Sequence, residues 1–175
     1  MLQQMFTQRQ SCRNYSTKPV EHDKLVKVLK AGMIAPSSRN RQPWHFHVCG
    51  EKTLPLVKDA CQIYGKNPFL TNCPQLIVVT TPPPVVVDKC AMPLWTAQDF
   101  RPFDVGLAVM QMCLQATELG LSTCMIGLLC QEMIQQAIGT NEEVKIVLAL
   151  GYANEADEIR PKIRRTMDET VTFLD

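Results

Sequence analysis

The segment at residues 104–119, DVGLAVMQMCLQATEL, restricts the possible folds more than any other part of the sequence. Its apolar residues cover almost every side of a helix, so we expect a helix buried in the core. Asp104 is placed to cap the start of this helix, and Gly120 to end it. Two β-prone apolar runs, at 75–81 and 144–153, predict strands. Three prolines follow the first run, and we expect it to be a central strand buried on both faces.

Shorter elements of both kinds are predicted along the rest of the chain. Apolar residues at helical spacing, with lysines opposite them, predict an amphipathic helix over residues 23–34. The alternating run WHFHVCG predicts a strand over 44–50, and short helices are expected over 53–63 and near 130–138. The segment GLSTCMIG at 120–127 is predicted to be a glycine-bounded loop, where backbone N–H groups can approach a ligand closely.

The size and charge of the chain limit its organisation and its partners. A chain of 175 residues is expected to form a single domain with a core of its own. A net charge of +1 gives no support to binding of nucleic acid or of a membrane surface. No apolar run approaches the roughly 20 residues of a membrane span. We therefore expect a small-molecule partner.

Eight cysteines require a choice between a disulfide framework and free thiols. The N-terminus lacks a basic start followed by an apolar core, and the sequence contains no CxxC. Most of the cysteines lie in apolar segments such as MQMCLQA, where a free cysteine behaves as a small hydrophobe. These observations predict a reduced, cytoplasmic protein.

Basic residues are grouped near both ends of the chain. Arg9, Ser11 and Arg13 occupy every second position, so in an extended backbone they would share one face. Two guanidinium groups and a hydroxyl suit a phosphate or another cluster of anionic oxygens. A second basic cluster lies in the tail and consists of Lys162, Arg164 and Arg165. The N-terminal cluster is equally compatible with a solvated surface, and either cluster alone is usually a solvated face. If the two met in space, they would form one anion site.

The loop APSSRNRQPW, which begins at residue 35, is rich in hydrogen-bonding side chains. Between its two prolines, Pro36 and Pro43, lie the polar residues Ser37, Ser38, Asn40 and Gln42. A loop of this kind can bind a flat polar heterocycle or a ribityl-like chain. The alternative is that the same groups serve only helix capping and turn formation.

Metal and hydrolytic sites have weaker support. His45 and His47 alternate on one strand and could bind a metal, but no third ligand lies nearby in sequence, so we predict no metal site. The sequence contains no GxSxG, no HExxH and no cysteine with an adjacent histidine signature.

Four segments in this order, RQSCRNYS, APSSRNRQPWHF, DVGLAVMQMCLQATELGLSTCMIG and KIRRTMDETV, resemble the nitroreductase family of FMN-dependent oxidoreductases. The resemblance extends from about residue 6 to residue 173, and APSSxNxQPW is its most specific part. It implies an α+β fold with a mixed sheet flanked by helices, in an intertwined homodimer with two FMN molecules at the subunit interface. Residues 154–175 would form an arm that docks on the partner subunit, and the terminal TVTFL would join the partner's sheet.

The resemblance also implies which residues contact the flavin. Those from one subunit are Arg9, Gln10, Ser11, Arg13, Lys162 and Arg164, and those from the other are Pro36, Ser37, Ser38 and Asn40. The backbone that would face the ring near N5 is that of Cys124, Met125, Ile126 and Gly127. Arg13, near N1 and O2, and the amide of Ile126 would have the catalytic roles. Gln10 departs from the family, which often has Arg or His at this position.

The implied activity is hydride transfer from NADH or NADPH through flavin N5 to a small oxidised acceptor, such as a nitroaromatic or a quinone, in a ping-pong cycle. Arg13 would stabilise negative charge on the reduced flavin. Three alternatives stay open: a flavin-binding protein without turnover, a specialised relative such as a reductive dehalogenase or a flavin-destroying enzyme, and a cysteine-based redox sensor or metal-binding protein.

Overall fold

The structure is a computed structural model that describes residues 2–84 and 98–174. Its helices and strands are α1 (Leu2–Gln8), α2 (His22–Met33), β1 (His45–Val48), α3 (Thr53–Gln62), β2 (Gln75–Thr81), α4 (Arg101–Glu118), β3 (Ser122–Ile126), α5 (Gln131–Ile138) and β4 (Glu143–Gly151). Short 3-10 turns lie at Ser38–Asn40, Ile63–Gly65 and Pro68–Asn72. The elements predicted over 23–34, 44–50, 53–63, 75–81, 130–138 and 144–153 are all present, with small shifts at their ends.

The four strands form one sheet in the order β1-β2-β4-β3. β2 is an inner strand, buried from its second residue to its last, which confirms the prediction of a central strand. All three strand pairings are antiparallel, which corrects the expected mixed sheet. Among the described residues, the one parallel pairing is an isolated bridge between Ser11 and Thr123. Local sequence did not reveal strand direction, because the chain path between strands decides it.

Helices cover both faces of the sheet. Alternate residues of β2 enter two separate apolar clusters, since successive side chains of a strand point to opposite faces. Leu76 and Val78 join a cluster with residues of α3 and α5, and Ile77 and Val79 join a cluster with residues of α2 and α4. The sheet therefore has an apolar core on each side, as expected for a strand that is buried on both faces.

The central helix differs from its prediction at its start. α4 begins at Arg101 rather than at residue 104, so Asp104 lies in the first turn and is not the N-cap. A proline in the first positions, Pro102, fixes a helical φ angle and extends the helix at this end. Gly120, with a φ of +74°, ends the helix as predicted.

One side of α4 is exposed to solvent in the single chain. Residues such as Val109 and Met112 are fully packed, but Phe103 is 64% exposed and Met110 is 39% exposed. The expectation of burial on every side is therefore wrong for one chain alone. Both side chains contribute apolar area to the surface of the single chain.

Two further segments differ from their predictions. The expected loop at 120–127 contains strand β3, because the segment from Ser122 to Ile126 pairs with β4 along its whole length. The tail at 154–174 contains no helix or strand, and most of its side chains are exposed. Its β-prone end is thus not a strand in the single chain. None of the helices in the described part of the chain has both the length and the apolar character needed to cross a bilayer.

Candidate functional site

The N-terminal segment runs along the outer edge of β3. The amide of Cys12 donates a 2.9 Å hydrogen bond to the carbonyl oxygen of Thr123. A little further on, Tyr15 forms an antiparallel bridge with Ala153. The residues after α1 are therefore extended, as the alternation of Arg9, Ser11 and Arg13 predicted, and they are positioned against the sheet.

Gln10 binds the C-terminal tail to this segment. Its side-chain oxygen accepts a 3.1 Å hydrogen bond from the amide of Arg160. Its side-chain nitrogen donates to Asp157 Oδ2 at 3.3 Å and to the carbonyl oxygen of Glu158 at 3.2 Å. Gln10 thus has a structural role: it holds the tail beside the N-terminus.

Arg160 makes the same connection from the other side. Its guanidinium group donates to the carbonyl oxygen of Ser11 at 2.7 Å and pairs with Asp157 Oδ1 at 2.9 Å. The Asp157 side chain is only 6% exposed. The Arg160 side chain is 48% exposed, so the pair is buried only on its Asp157 side, and its charge-assisted hydrogen bonds fix the position of the tail relative to β3.

A cleft of about 180 Å³ lies between these two segments. It is lined by Arg9, Gln10, Ser11, Arg13, Arg160, Pro161, Lys162 and Arg164. Among the described residues, five cationic side chains and no carboxylate line it. The expectation that the two basic clusters meet is confirmed, although Arg165 is not part of the lining. Rigid guanidinium forks around a small concave space are suited to bind a phosphate.

The lowered pKa of Lys162 reflects the positive electrostatic potential of this cleft. Partial burial, together with the like charges of Arg9, Arg164 and Arg160, holds the pKa of the Lys162 ammonium below its ordinary value. Cations held this close repel each other, and a bound anion would relieve the repulsion. The cleft therefore has the charge, the donors and the shape of an anion site.

The backbone of β3 provides donors beside this cleft. Within a strand, the N–H and C=O of one residue point to the same neighbour, and successive residues alternate. Because the Thr123 carbonyl faces Cys12, the backbone groups of Met125 also face away from β4, while those of Ile126 face Val147 on β4. Gly127 follows the last paired residue and is exposed.

The loop at residues 36–43 is held by its own hydrogen bonds and by α4. Ser37 Oγ accepts a 2.8 Å hydrogen bond from the amide of Gln42, so these two residues take part in turn formation. The amide of Ser38 donates a 3.0 Å bond to Asp104 Oδ1. Three residues that are not glycine, Arg39, Asn40 and Gln42, have left-handed φ angles of 49° to 53°. Such strain concentrates at functional loops.

This loop lines a different cavity from the basic cleft. The larger cavity has a volume of about 550 Å³, and its lining includes Ser38, Arg41, Gln42, Phe100 and Asp104. Within one chain, the residues predicted to contact the flavin through side chains thus form two groups: the 9–13 and 162–164 positions in the basic cleft, and the 36–40 loop elsewhere.

The described cysteines are free, and most of them are buried. Burial raises the pKa of the Cys12 thiol to about 12. It also raises the pKa of Cys124, where the charge of Arg13 acts in the opposite direction. Redox-sensing cysteines need accessible thiolates, so these two thiols do not support the sensor alternative.

Sequence reasoning missed two residues. Arg160 lies in the basic cleft, and its signal was present: the basic residues of IRPKIRR at positions 160, 162 and 164 alternate as the N-terminal ones do. Glu142 lies beside the two histidines of β1, with its Oε2 3.8 Å from His45 Nδ1. No local signal indicated this contact, because almost a hundred residues separate the two positions.

Comparison with known proteins gives a family match. The sequence model of the nitroreductase family matches residues 6–63 and 57–152. A protein of Archaeoglobus fulgidus named NADH dehydrogenase/NAD(P)H nitroreductase is 28% identical over 157 residues, covering 86% of this chain and 84% of the relative. An FMN-dependent nitroreductase of Clostridium difficile R20291 is 28% identical, with a TM-score of 0.73 and 98% of both chains covered. A nitroreductase with bound FMN from Bacteroides fragilis NCTC 9343 is 25% identical, with a TM-score of 0.76, covering 99% of this chain and 98% of that one.

Proposed function

The chain belongs to the nitroreductase family, and from this membership and the basic cleft we propose that it is an FMN-dependent NAD(P)H oxidoreductase. The acceptor is a small oxidised molecule such as a nitroaromatic or a quinone. The observation that carries the proposal is the convergence of Arg9, Lys162 and Arg164 from opposite ends of the chain on one small cleft.

The residues of the cleft fit the phosphate of FMN. Arg9, Lys162 and Arg164 bind the phosphate oxygens, and Ser11 adds a neutral donor. Arg160 and Gln10 hold the tail in place, so that the cations are positioned before the ligand arrives. Preorganisation of this kind reduces the entropy lost on binding.

We assign the contacts with the flavin ring to Arg13 and to the backbone at residues 124–127. Arg13 lines the same cleft and lies close enough to Cys124 to influence its thiol. We assign it to the N1/O2 edge, where a fixed positive charge stabilises developing negative charge. The backbone register supports Gly127 as the amide donor near N5 instead of the predicted Ile126, because the Ile126 amide is directed toward β4.

We propose that the site is completed by a second copy of the chain in an intertwined homodimer. Pro36, Ser37, Ser38 and Asn40 would then come from the partner, which agrees with their separation from the basic cleft within one chain. Exposed apolar side chains supply a surface for association: Phe103 on α4, and Phe173 and Leu174, which are 82% and 88% exposed, at the end of the 154–175 arm.

Bound FMN supplies the chemistry of hydride transfer between the nicotinamide and the acceptor in a ping-pong cycle. The protein binds the phosphate, orients the ring and stabilises charge at the Arg13 guanidinium. A cytoplasmic location stays a prediction, and the free thiols of the described cysteines agree with it.

The test is the visible absorption spectrum of the purified protein, followed anaerobically during addition of NADH or NADPH. We expect an oxidised flavin spectrum that bleaches with one or both nucleotides and returns when a nitroaromatic or a quinone is added. Bound flavin that neither nucleotide reduces would instead indicate a flavin-binding protein without turnover. A protein that cannot be reconstituted with FMN would overturn the proposal.

A further inference from the structure

Two histidines and a glutamate meet on one edge of the sheet, away from the basic cleft. His45 and His47 lie on the same face of β1, with their ring centroids 4.1 Å apart. Glu142, the residue before β4, brings its carboxylate to the same place. One ligand atom from each of the three residues lies within 4.8 Å of the other two.

A β-bulge puts Glu142 on this face. The β2–β4 register shifts by one residue after Val79, so that Thr80 pairs with Val144 instead of Lys145. A shift of one residue moves every following side chain to the opposite face. Without the bulge, Glu143 rather than Glu142 would share the face of the two histidines. Bulges often re-aim a side chain at a functional site.

Thr80 links His47 to Glu142 through its side-chain hydroxyl. Its hydroxyl lies 2.9 Å from His47 Nε2 and donates a 2.5 Å hydrogen bond to Glu142 Oε2. Thr80 is completely buried, so its position is fixed by the sheet. Outer-shell hydrogen bonds of this type orient the ligands of metal sites in proteins.

We propose that His45, His47 and Glu142 bind one divalent transition-metal ion of the zinc type, with water completing the coordination. Imidazole and carboxylate are the usual ligands of such ions, and three protein ligands leave one open position. Zinc ligands at about 2.0–2.1 Å from the metal lie about 3.3 Å apart, so side-chain rotations that bring the ligand atoms closer together by up to about 1.5 Å would close the site. His45 is 64% exposed and free to make this movement.

The ion would connect β1 to the residue before β4, across the intervening strand β2. β1 is the edge strand that follows the 36–43 loop, and Glu142 precedes β4, with β2 between them. A metal bound by the three side chains would cross-link the edge strand β1 to the start of the inner strand β4. Its expected effect is on stability, because an ion that binds only the folded chain raises the unfolding temperature.

The test uses the untagged full-length protein with its flavin, treated with EDTA and titrated with ZnCl₂ by isothermal calorimetry. We expect one zinc ion per chain and a rise in Tm of about 5 °C or more at a hundredfold excess over Kd. MgCl₂ should have little effect, because Mg²⁺ prefers an all-oxygen octahedral site.

Three variants make the assignment specific. His45→Ala and Glu142→Gln should each weaken zinc binding by about tenfold or more and remove the zinc-dependent rise in Tm. His22→Ala removes the one histidine of the sequence outside the proposed site. His22 is exposed on α2, and this variant should bind zinc like the wild type. His45→Ala keeps every cysteine, so unchanged zinc affinity in this variant would reveal thiol binding and overturn the proposal. The absence of zinc binding to the wild-type protein would also overturn it.

Discussion

The Arg160 guanidinium group donates a 2.7 Å hydrogen bond to the main-chain oxygen of Ser11, which joins residues 149 positions apart. This bond and the contacts of Gln10 close the basic cleft between the two ends of the chain. The proposed phosphate site therefore exists only in the folded protein. Changes within it should affect flavin binding more than they affect the fold.

Arg164→Ala is expected to weaken FMN binding by about 1.5–3 kcal/mol, the contribution of a hydrogen bond to a charged group. The neighbouring Arg165 is exposed and does not line the cleft, so Arg165→Ala is a matched control for the loss of one positive charge. Fluorescence titration with FMN measures both affinities. Equal affinities for the two variants would contradict the phosphate assignment.

Arg13→Ala should lower the reduction potential of the bound flavin and slow its reduction by NAD(P)H, because the fixed positive charge near the ring is lost. Arg13→Lys retains the charge and should retain most of the potential. Spectroelectrochemical titration gives the potential of each variant. If Arg13→Ala binds FMN and has the wild-type potential, the assignment of Arg13 to the N1/O2 edge is wrong.

Gly127→Pro is expected to reduce the rate of flavin reduction, because proline removes the amide that we assign to the ring. The preceding residue is extended in β3, which is the conformation that a following proline favours. Gly127→Ala keeps the N–H, and a Cβ at this position has nothing within 4 Å, so it should behave like the wild type. Stopped-flow absorbance compares the two variants. The same rate in both would exclude the Gly127 amide as a necessary donor.

Asp104→Ala should lower the free energy of unfolding by about 1–3 kcal/mol, because the Ser38 amide loses its buried acceptor. Asp104→Asn retains a side-chain oxygen at the same position and should cost less. Urea titrations followed by circular dichroism give both values. An Asp104→Ala variant as stable as the wild type would show that the loop does not depend on this bond.

Alkaline pH should destabilise the fold through its buried thiols. Burial raises the pKa to about 12 for Cys12 and Cys61 and to about 11 for Cys49 and Cys73. A thiol in the unfolded chain ionises near pH 8.5, so this stabilisation is complete below pH 8.5 and is lost as the pH rises toward the folded-state pKa. From pH 7.5 to 9.5, we expect the free energy of unfolding to fall by about 1 kcal/mol per thiol.

The control for this pH effect is Cys61→Ala, which should show a smaller fall over the same interval because one titrating thiol is absent. Urea unfolding at the two pH values measures the difference between wild type and variant. An equal fall in both proteins would assign the alkaline sensitivity to other groups.

Much of the fold was predictable from local patterns. The bounds of β2 agree with the prediction at both ends, and the amphipathic helix differs from α2 by one residue at each end. The basic residues of the candidate site were also recognisable, because alternation and composition are properties of a few neighbouring positions. β3 was not, since STCMI is short and becomes a strand only by pairing with β4.

The sequence by itself determined which segments are helical or extended and which side chains can bind an anion. Those properties depend on residues a few positions apart, and the physical chemistry of each side chain is enough to predict them. Only the tertiary structure decided that Arg160 reaches Ser11, that Ile126 faces β4 and that Glu142 joins His45. These contacts depend on strand direction and register, where a shift of one residue reverses the face of every side chain that follows.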